Sequence, residues 1–134
     1  MTTRYDISAF KSALGDIRTE EHPKLVQQKS RDFYWYSPVL KRQLEDVTGD
    51  IVVSPKTEDE VIAAVAAAYA HDIPITVRGS GTGNYGQAMP LSGGAVLDVS
   101  GLNEIEAIDA GAVAVGSGAI ISHIDDATRR DRGL

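Results

Sequence analysis

The sequence predicts an α+β fold: short parallel strands joined through a crossover helix, a small antiparallel addition, and a helical arm in front. Three observations predict it. Between Asp50 and Arg78 a β-branched run, a capped helical stretch and a second β-branched run follow one another, the order that makes parallel strands with a right-handed crossover. A further apolar strand, "AVLDVS", starts at Ala95. Two short runs, "EIEAID" and "AVAVGSG", flank Ala110 and Gly111, which is a hairpin signal.

Residues 1–48 read as the helical N-terminal arm. Ile7, Phe10 and Leu14 fall at helical spacing with Gly15 as a stop, and Val39 to Leu44 form a short helix after Pro38. Between them lies "RDFYWYSP", with Phe33, Tyr34, Trp35 and Tyr36 in succession. Such a cluster can stack on a flat ring or pack an arm onto a domain; packing is the expectation, and no chemistry is assigned to it.

Residues 49–134 carry the regular pattern. Ile51 to Val53 form a strand ended by Ser54 and Pro55. Thr57 with Glu60 three residues on is a capping-box pattern, and Glu58 and Asp59 suit the positive end of the helix that follows. Val61, Ile62, Val65 and Tyr69 are its apolar positions, and it ends near His71 and Asp72. Ile73 to Val77 is the next strand. After the Ala95 strand and the hairpin, Ile121, Ile124, Ala127 and Thr128 mark a last helix, with Gly133 as its terminator.

Composition excludes several functions. The 134 residues hold 13 Lys and Arg against 19 Asp and Glu, a formal charge of −6. The basic residues are scattered apart from Arg129, Arg130 and Arg132, so no face suits nucleic acid, and that cluster reads as a solvated helix end. Cysteine is absent and His22, His71 and His123 lie far apart, which leaves no metal site. The histidines read as a surface residue, a helix-end residue and a polar helical residue; no catalytic residue is nominated. The N-terminus lacks an apolar signal core, and the longest apolar run, "VIAAVAAAYA", is too short to span a bilayer. A cytoplasmic protein with no transmembrane segment is the expectation.

The glycine-loaded stretch "RGSGTGNYGQAMPLSGG", Arg78 to Gly94, is where chemistry is expected. Gly81, Gly83 and Gly86 satisfy G-x-G-x-x-G after a strand, and Asp98 could imitate the ribose-binding acid, so the pattern alone admits NAD. The context opposes it: that fingerprint must open directly into a helix, and Pro90, Gly93 and Gly94 follow instead. A P-loop fails because no Lys occurs after Lys56. What remains is a long loop in which Gly79, Gly81 and Gly83 let successive N–H groups turn inward, with the Ser80 and Thr82 hydroxyls and the Arg78 charge beside them. That is an anion-binding concavity suited to a diphosphate, and Gly81 in particular must let backbone approach phosphate. Loops of this length are usually functional or disordered.

The joined pattern, a proline before a capped helix, then "P" and "RGSGTG", then "GGAVLDVSGLN", resembles the PCMH-type FAD-binding domain of the vanillyl-alcohol oxidase and p-cresol methylhydroxylase superfamily. The nearest branch is that of the glycolate and D-lactate dehydrogenases, and the likeness covers about residues 50 to 134. It implies an FAD cofactor whose pyrophosphate is wrapped by Arg78, Gly79, Ser80, Gly81, Thr82 and Gly83, and more loosely by Asn84, Tyr85 and Gly86. Pro55 matches a proline beside the adenine end. Members that attach FAD covalently through this loop have histidine where Thr82 stands, so the implied FAD is non-covalent. Asp98 is read as a strand-end residue in preference to a ligand.

The same likeness implies that 49–134 is the first part of an FAD-binding domain that continues past Leu134 and is followed by a substrate domain. The parent would be an FAD-dependent oxidoreductase acting on a small-molecule substrate, a 2-hydroxy acid or similar, by hydride transfer to the flavin. The alternative is a non-catalytic nucleotide-binding or assembly module that completes its site with a partner chain. An unfinished sheet edge also invites self-association.

Overall fold

The computed structural model describes residues 5–131. In chain order the elements are α1 (Ile7–Ala13), β1 (Thr19–Glu20), α2 (Pro23–Lys29), a 3₁₀ turn (Tyr34–Tyr36), α3 (Pro38–Leu44), β2 (Ile51–Val53), α4 (Glu58–Ala70), β3 (Ile75–Arg78), β4 (Ala95–Asp98), β5 (Ile105–Ile108), β6 (Val113–Val115) and α5 (Ile121–Asp131). The expected α+β class holds. Gly133 and Arg132, expected to end the last helix, lie outside the described residues.

Helix ends follow local chemistry. Asp6 caps α1 by accepting from Ala9 N–H, and Gly15 follows its end at φ +59°. Thr57 Oγ1 caps α4 by accepting from Glu60 N–H at 3.2 Å, while Glu60 Oε2 reaches back to Lys56 N–H at 2.6 Å. This is a capping box displaced by one residue on its return arm. Pro23 and Pro38 each open a helix at its first turn, where the missing N–H costs nothing.

The main sheet runs β1-β2-β4-β3, with β1 antiparallel to β2 and the other neighbours parallel. The expected parallel pair joined by α4 is therefore modified: β2 and β3 share a sheet, but β4 lies between them, pairing Ala95 with both Ile51 and Ile75. The reason is a close approach. Gly94 sits at φ +74°, and a Cβ there would stand 2.2 Å from Pro74 O, so the chain enters β4 hard against the start of β3. β5 and β6 form the expected hairpin, with an irregularity between Ile105 and Ala107.

Strand alternation divides the core. Ile51, Val53, Ala95 and Leu97 face Phe10 and Leu14 of α1 and Ala64 and Ala68 of α4. Val52 and Val96 face the opposite side, where Val26 of α2 covers them. The 1–48 segment thus supplies helices to both faces and a strand to one edge.

Two sequence expectations are corrected here. α4 turns Ala64 and Ala68 inward, flanked by Val61 and Ala67, while Ile62, Val65 and Tyr69 are exposed. Small side chains let the helix lie close on the sheet, so alanine and not the larger residues forms the packed stripe. In the aromatic stretch only Tyr34 is buried; Phe33, Trp35 and Tyr36 are exposed and contact one another edge-on or tilted, with Trp35 and Tyr36 ring centroids 4.3 Å apart. Packing therefore accounts for one ring of the four.

Candidate cofactor site

The carboxyl ends of β2, β3 and β4 are Val53, Arg78 and Asp98, and the edge they make is where ligands gather in parallel sheets. The glycine loop leaves this edge at Arg78. No helix follows it: the chain turns through Gln87–Gly94 and enters β4 at Ala95. The helix required by the dinucleotide fingerprint is absent among the described residues, as its prolines and glycines dictate.

Ser80, Thr82, Asn84 and Tyr85 are exposed, and Gly79, Gly81, Gly83 and Gly86 are partly covered. Among the described residues, no backbone N–H from Gly79 to Asn84 donates a hydrogen bond. The loop's carbonyls do accept: Phe33 N–H donates to Gly83 O at 2.8 Å. Farther along, Tyr85 N–H donates to Gln87 Oε1 at 3.0 Å, and buried Met89 and Pro90 anchor the return. A Cβ at Gly86 would stand 2.8 Å from Leu44 Cδ1, so α3 packs beneath that turn.

Arg78 lies on the α2 face of β3, as its pairing with Asp98 requires. Its Nη1 donates to Lys29 O at 2.8 Å and Arg31 O at 2.6 Å, and its Nη2 to Ser80 O at 3.2 Å. Both terminal nitrogens of the guanidinium are thus engaged by carbonyls, while its buried Nε has no partner. It also occupies the place of a side chain at Gly81, where φ is +69° and a Cβ would fall 2.1 Å from Arg78 Nη2. The demand for glycine at 81 comes from inside the protein as well as from any ligand.

Beside the loop, Asp32 is 4% exposed; its Oδ1 accepts from Tyr34 N–H at 2.9 Å and its Oδ2 has no partner. That oxygen stands 3.4 Å from the place of a Gly83 Cβ. A cleft of about 450 Å³ opens between α2, the 31–35 segment and the loop, lined in part by Lys24, Arg31, Trp35, Ser80 and Gly81. The sequence singled out Trp35 within the aromatic run but not Asp32, Arg31 or Lys24, because nothing in local pattern ties residue 32 to residue 83.

The remaining candidates sort plainly. Asp98 ends β4, accepting from Ser100 N–H at 3.1 Å and pairing with Lys29 at 2.6 Å, which is the structural part expected of it. Pro55 is fully buried just past β2, so its ring packs against protein. His22 precedes α2, His71 ends α4 and His123 lies exposed on α5. Among the described residues no His, Asp or Glu cluster could hold a metal, and no helix is long and apolar enough to cross a membrane.

A diphosphate needs several free N–H donors; the Gly79–Asn84 run with the exposed Ser80 and Thr82 hydroxyls offers them, and Asp32 Oδ2 stands near the Gly83 end of the run. Residue 82 is threonine, which offers no imidazole for a covalent flavin bond.

Comparison with known proteins agrees. A family described as "FAD binding domain" matches residues 49–134. The chain is 37% identical over 81 residues to a D-lactate dehydrogenase of Archaeoglobus fulgidus, covering 60% of this chain and 18% of that protein. It is 38% identical over 60 residues to a glycolate oxidase subunit of Bacillus subtilis, covering 45% of this chain and 13% of that protein. The fold matches a p-cresol methylhydroxylase structure with a TM-score of 0.68 at 19% identity, over 92% of this chain and 24% of that one. The chain thus spans less than a fifth of the two sequence relatives. With the family match extending over most of its length, the chain belongs to the FAD binding domain family.

Proposed function

We propose that the loop from Arg78 to Gly86 holds the FAD pyrophosphate without a covalent bond, in a parent enzyme that oxidises a small 2-hydroxy acid. The observation that carries this reading is the unengaged N–H run from Gly79 to Asn84 at the carboxyl edge of parallel strands. The activities named for the two sequence relatives, lactate dehydrogenase and glycolate oxidase, support the substrate class.

In this reading residues 1–48 are an arm and 49–134 the first part of the FAD-binding domain. Gly79, Ser80, Gly81, Thr82 and Gly83 present donors to the diphosphate, and Asn84, Tyr85 and Gly86 carry the wall onward. Pro55 closes the β2 end behind the adenine side. FAD bound there would supply the redox chemistry, and the protein would supply orientation and electrostatics. The groups that bind substrate belong to the parts of the parent that this chain does not cover.

Parallel titrations with FAD, ADP and NAD test it. Clear preference for FAD is expected. Preference for NAD overturns the reading, and equal weak binding of all three reduces the loop to a generic diphosphate cradle. A second reading, a non-catalytic nucleotide-binding or assembly module completed by a partner chain, draws on the exposed Ile62, Val65 and Tyr69 face of α4. A cofactor-free protein that self-associates through that face, and dissociates on Tyr69→Lys, would favour it.

A further inference from the structure

Arg78 was expected to lend its charge to the bound diphosphate. Its hydrogen bonds lie elsewhere: Nη1 holds Lys29 O and Arg31 O at the end of α2, and Nη2 holds Ser80 O inside the loop. A second tie runs from the same arm, Phe33 N–H to Gly83 O at 2.8 Å. Both ties grip carbonyl oxygens of the glycine loop.

A trans peptide is planar, and its C=O and N–H point in opposite directions. No cis bond occurs among the described residues. With Ser80 C=O turned onto the Arg78 guanidinium, the N–H of Gly81 must face away from that guanidinium. With Gly83 C=O turned onto Phe33 N–H, the N–H of Asn84 must face away from Phe33. Loop carbonyls are the groups that would repel a phosphate oxygen; Arg78, itself anchored on the arm's carbonyls, holds the first out of the way and Phe33 the second.

We infer that Arg78 and the 29–33 segment form a strap that presets the glycine loop for the diphosphate, with Arg78 as a positioning residue and not a phosphate ligand. The strap reaches outside the 49–134 family match, because Lys29, Arg31 and Phe33 all belong to the arm. It explains Gly81 as well: any side chain there would expel the guanidinium from its carbonyls. Arginine is required for its planar fork, which serves acceptors on two chain segments at once, and lysine offers no such geometry.

The inference rests on the FAD reading for its purpose but can fail separately from it. The experiment uses the purified protein at its natural length, as wild type, Arg78→Met, Arg78→Lys and Phe33→Pro. The last removes the Phe33 donor while leaving Arg78 in place, and it carries the test if the Arg78 variants do not fold. Backbone ¹⁵N order parameters without cofactor are read across residues 79–86, with α4 amides as the fold control. FAD affinity is read at several salt concentrations.

Expected for both Arg78 variants are lower order parameters in the loop, unchanged values in α4, and FAD affinity at least about tenfold weaker with the wild-type salt dependence. Phe33→Pro should give the same pattern, strongest near Asn84. Full rescue by Arg78→Lys, or a shallower salt dependence in Arg78→Met, would show a charge meeting phosphate and overturn the inference. Loop order parameters unchanged in all variants would overturn it too, as would lowered stability with unaltered FAD affinity. If wild type prefers no FAD, the functional reading falls, and the order parameters alone still decide whether the strap exists.

Discussion

Lys29 Nζ lies 2.6 Å from Asp98 Oδ2, joining the last turn of α2 to the carboxyl end of β4. The pair spans the arm and the parallel sheet next to the cofactor edge. Asp98 is almost wholly buried, while Lys29 remains about half in water. Burial pushes the Asp98 carboxyl up, but the hydrogen bonds from Lys29 and Ser100 outweigh it and hold the group below its ordinary value of 3.8.

The sign of the pH dependence follows. A carboxyl with a depressed folded-state value contributes stability that is fully present above pH 3.8 and is lost as pH falls from there through the folded value. Lys29→Met should destabilise more than Asp98→Asn, because it leaves a buried carboxylate without its cation, whereas the amide removes the charge. We expect about 1–2 kcal/mol for Asp98→Asn, since the exposed lysine discounts the pair. Urea melts at pH 7 and pH 3 decide it: equal losses at both pH values would remove the linkage.

Gly94 gives a steric prediction with an internal control. Its φ is +74°, and a Cβ would meet the Pro74 carbonyl oxygen at 2.2 Å, whereas a Cβ at Gly111 would meet nothing within 4 Å. Gly94→Ala should cost at least about 2 kcal/mol, because backbone strain and backbone collision add. Gly111→Ala should lie within about 0.5 kcal/mol of wild type. Comparable denaturation midpoints for the two variants would contradict the close approach of β3 and β4.

Much of this fold was legible because its signals are local. Thr57 with Glu60 marked the start of α4, the β-branched runs marked β2, β3 and β4, and Ala110-Gly111 marked the hairpin. β1 was not legible, since two residues carry no period, and α2 was not read from the sequence either. Strand order was hidden because it depends on where a loop returns. The loop's chemistry showed in its glycines, but its wall did not: Asp32, Arg31 and Lys29 meet the loop only through tertiary contact.

The face of α4 was misread for a physical reason that can be tested. Hydrophobicity favours Ile62, Val65 and Tyr69, but Tyr69 is 88% exposed and Ala64 is 1% exposed. Ala64→Leu should destabilise by about 1–3 kcal/mol through overpacking against the sheet. Tyr69→Lys should leave monomer stability within about 0.5 kcal/mol of wild type. The opposite ranking in thermal melts would restore the face that periodicity suggested.

Asp32 yields the last prediction, in which stability and binding separate. Its carboxyl is buried, Oδ1 is bonded to Tyr34 N–H, and Oδ2 faces the Gly83 turn without a donor. A desolvated charge lacking one partner costs folding energy. Asp32→Asn keeps an oxygen for Tyr34 and removes the charge, so the cofactor-free protein should gain about 1 kcal/mol. Unpaired buried groups of this kind persist where function needs them. A hydroxyl of the bound cofactor is the donor the open oxygen could take, so the same variant should bind FAD more weakly while melting at a higher temperature. A variant that loses stability and keeps its FAD affinity would place Asp32 among the groups that hold the arm together, with no part in receiving the cofactor.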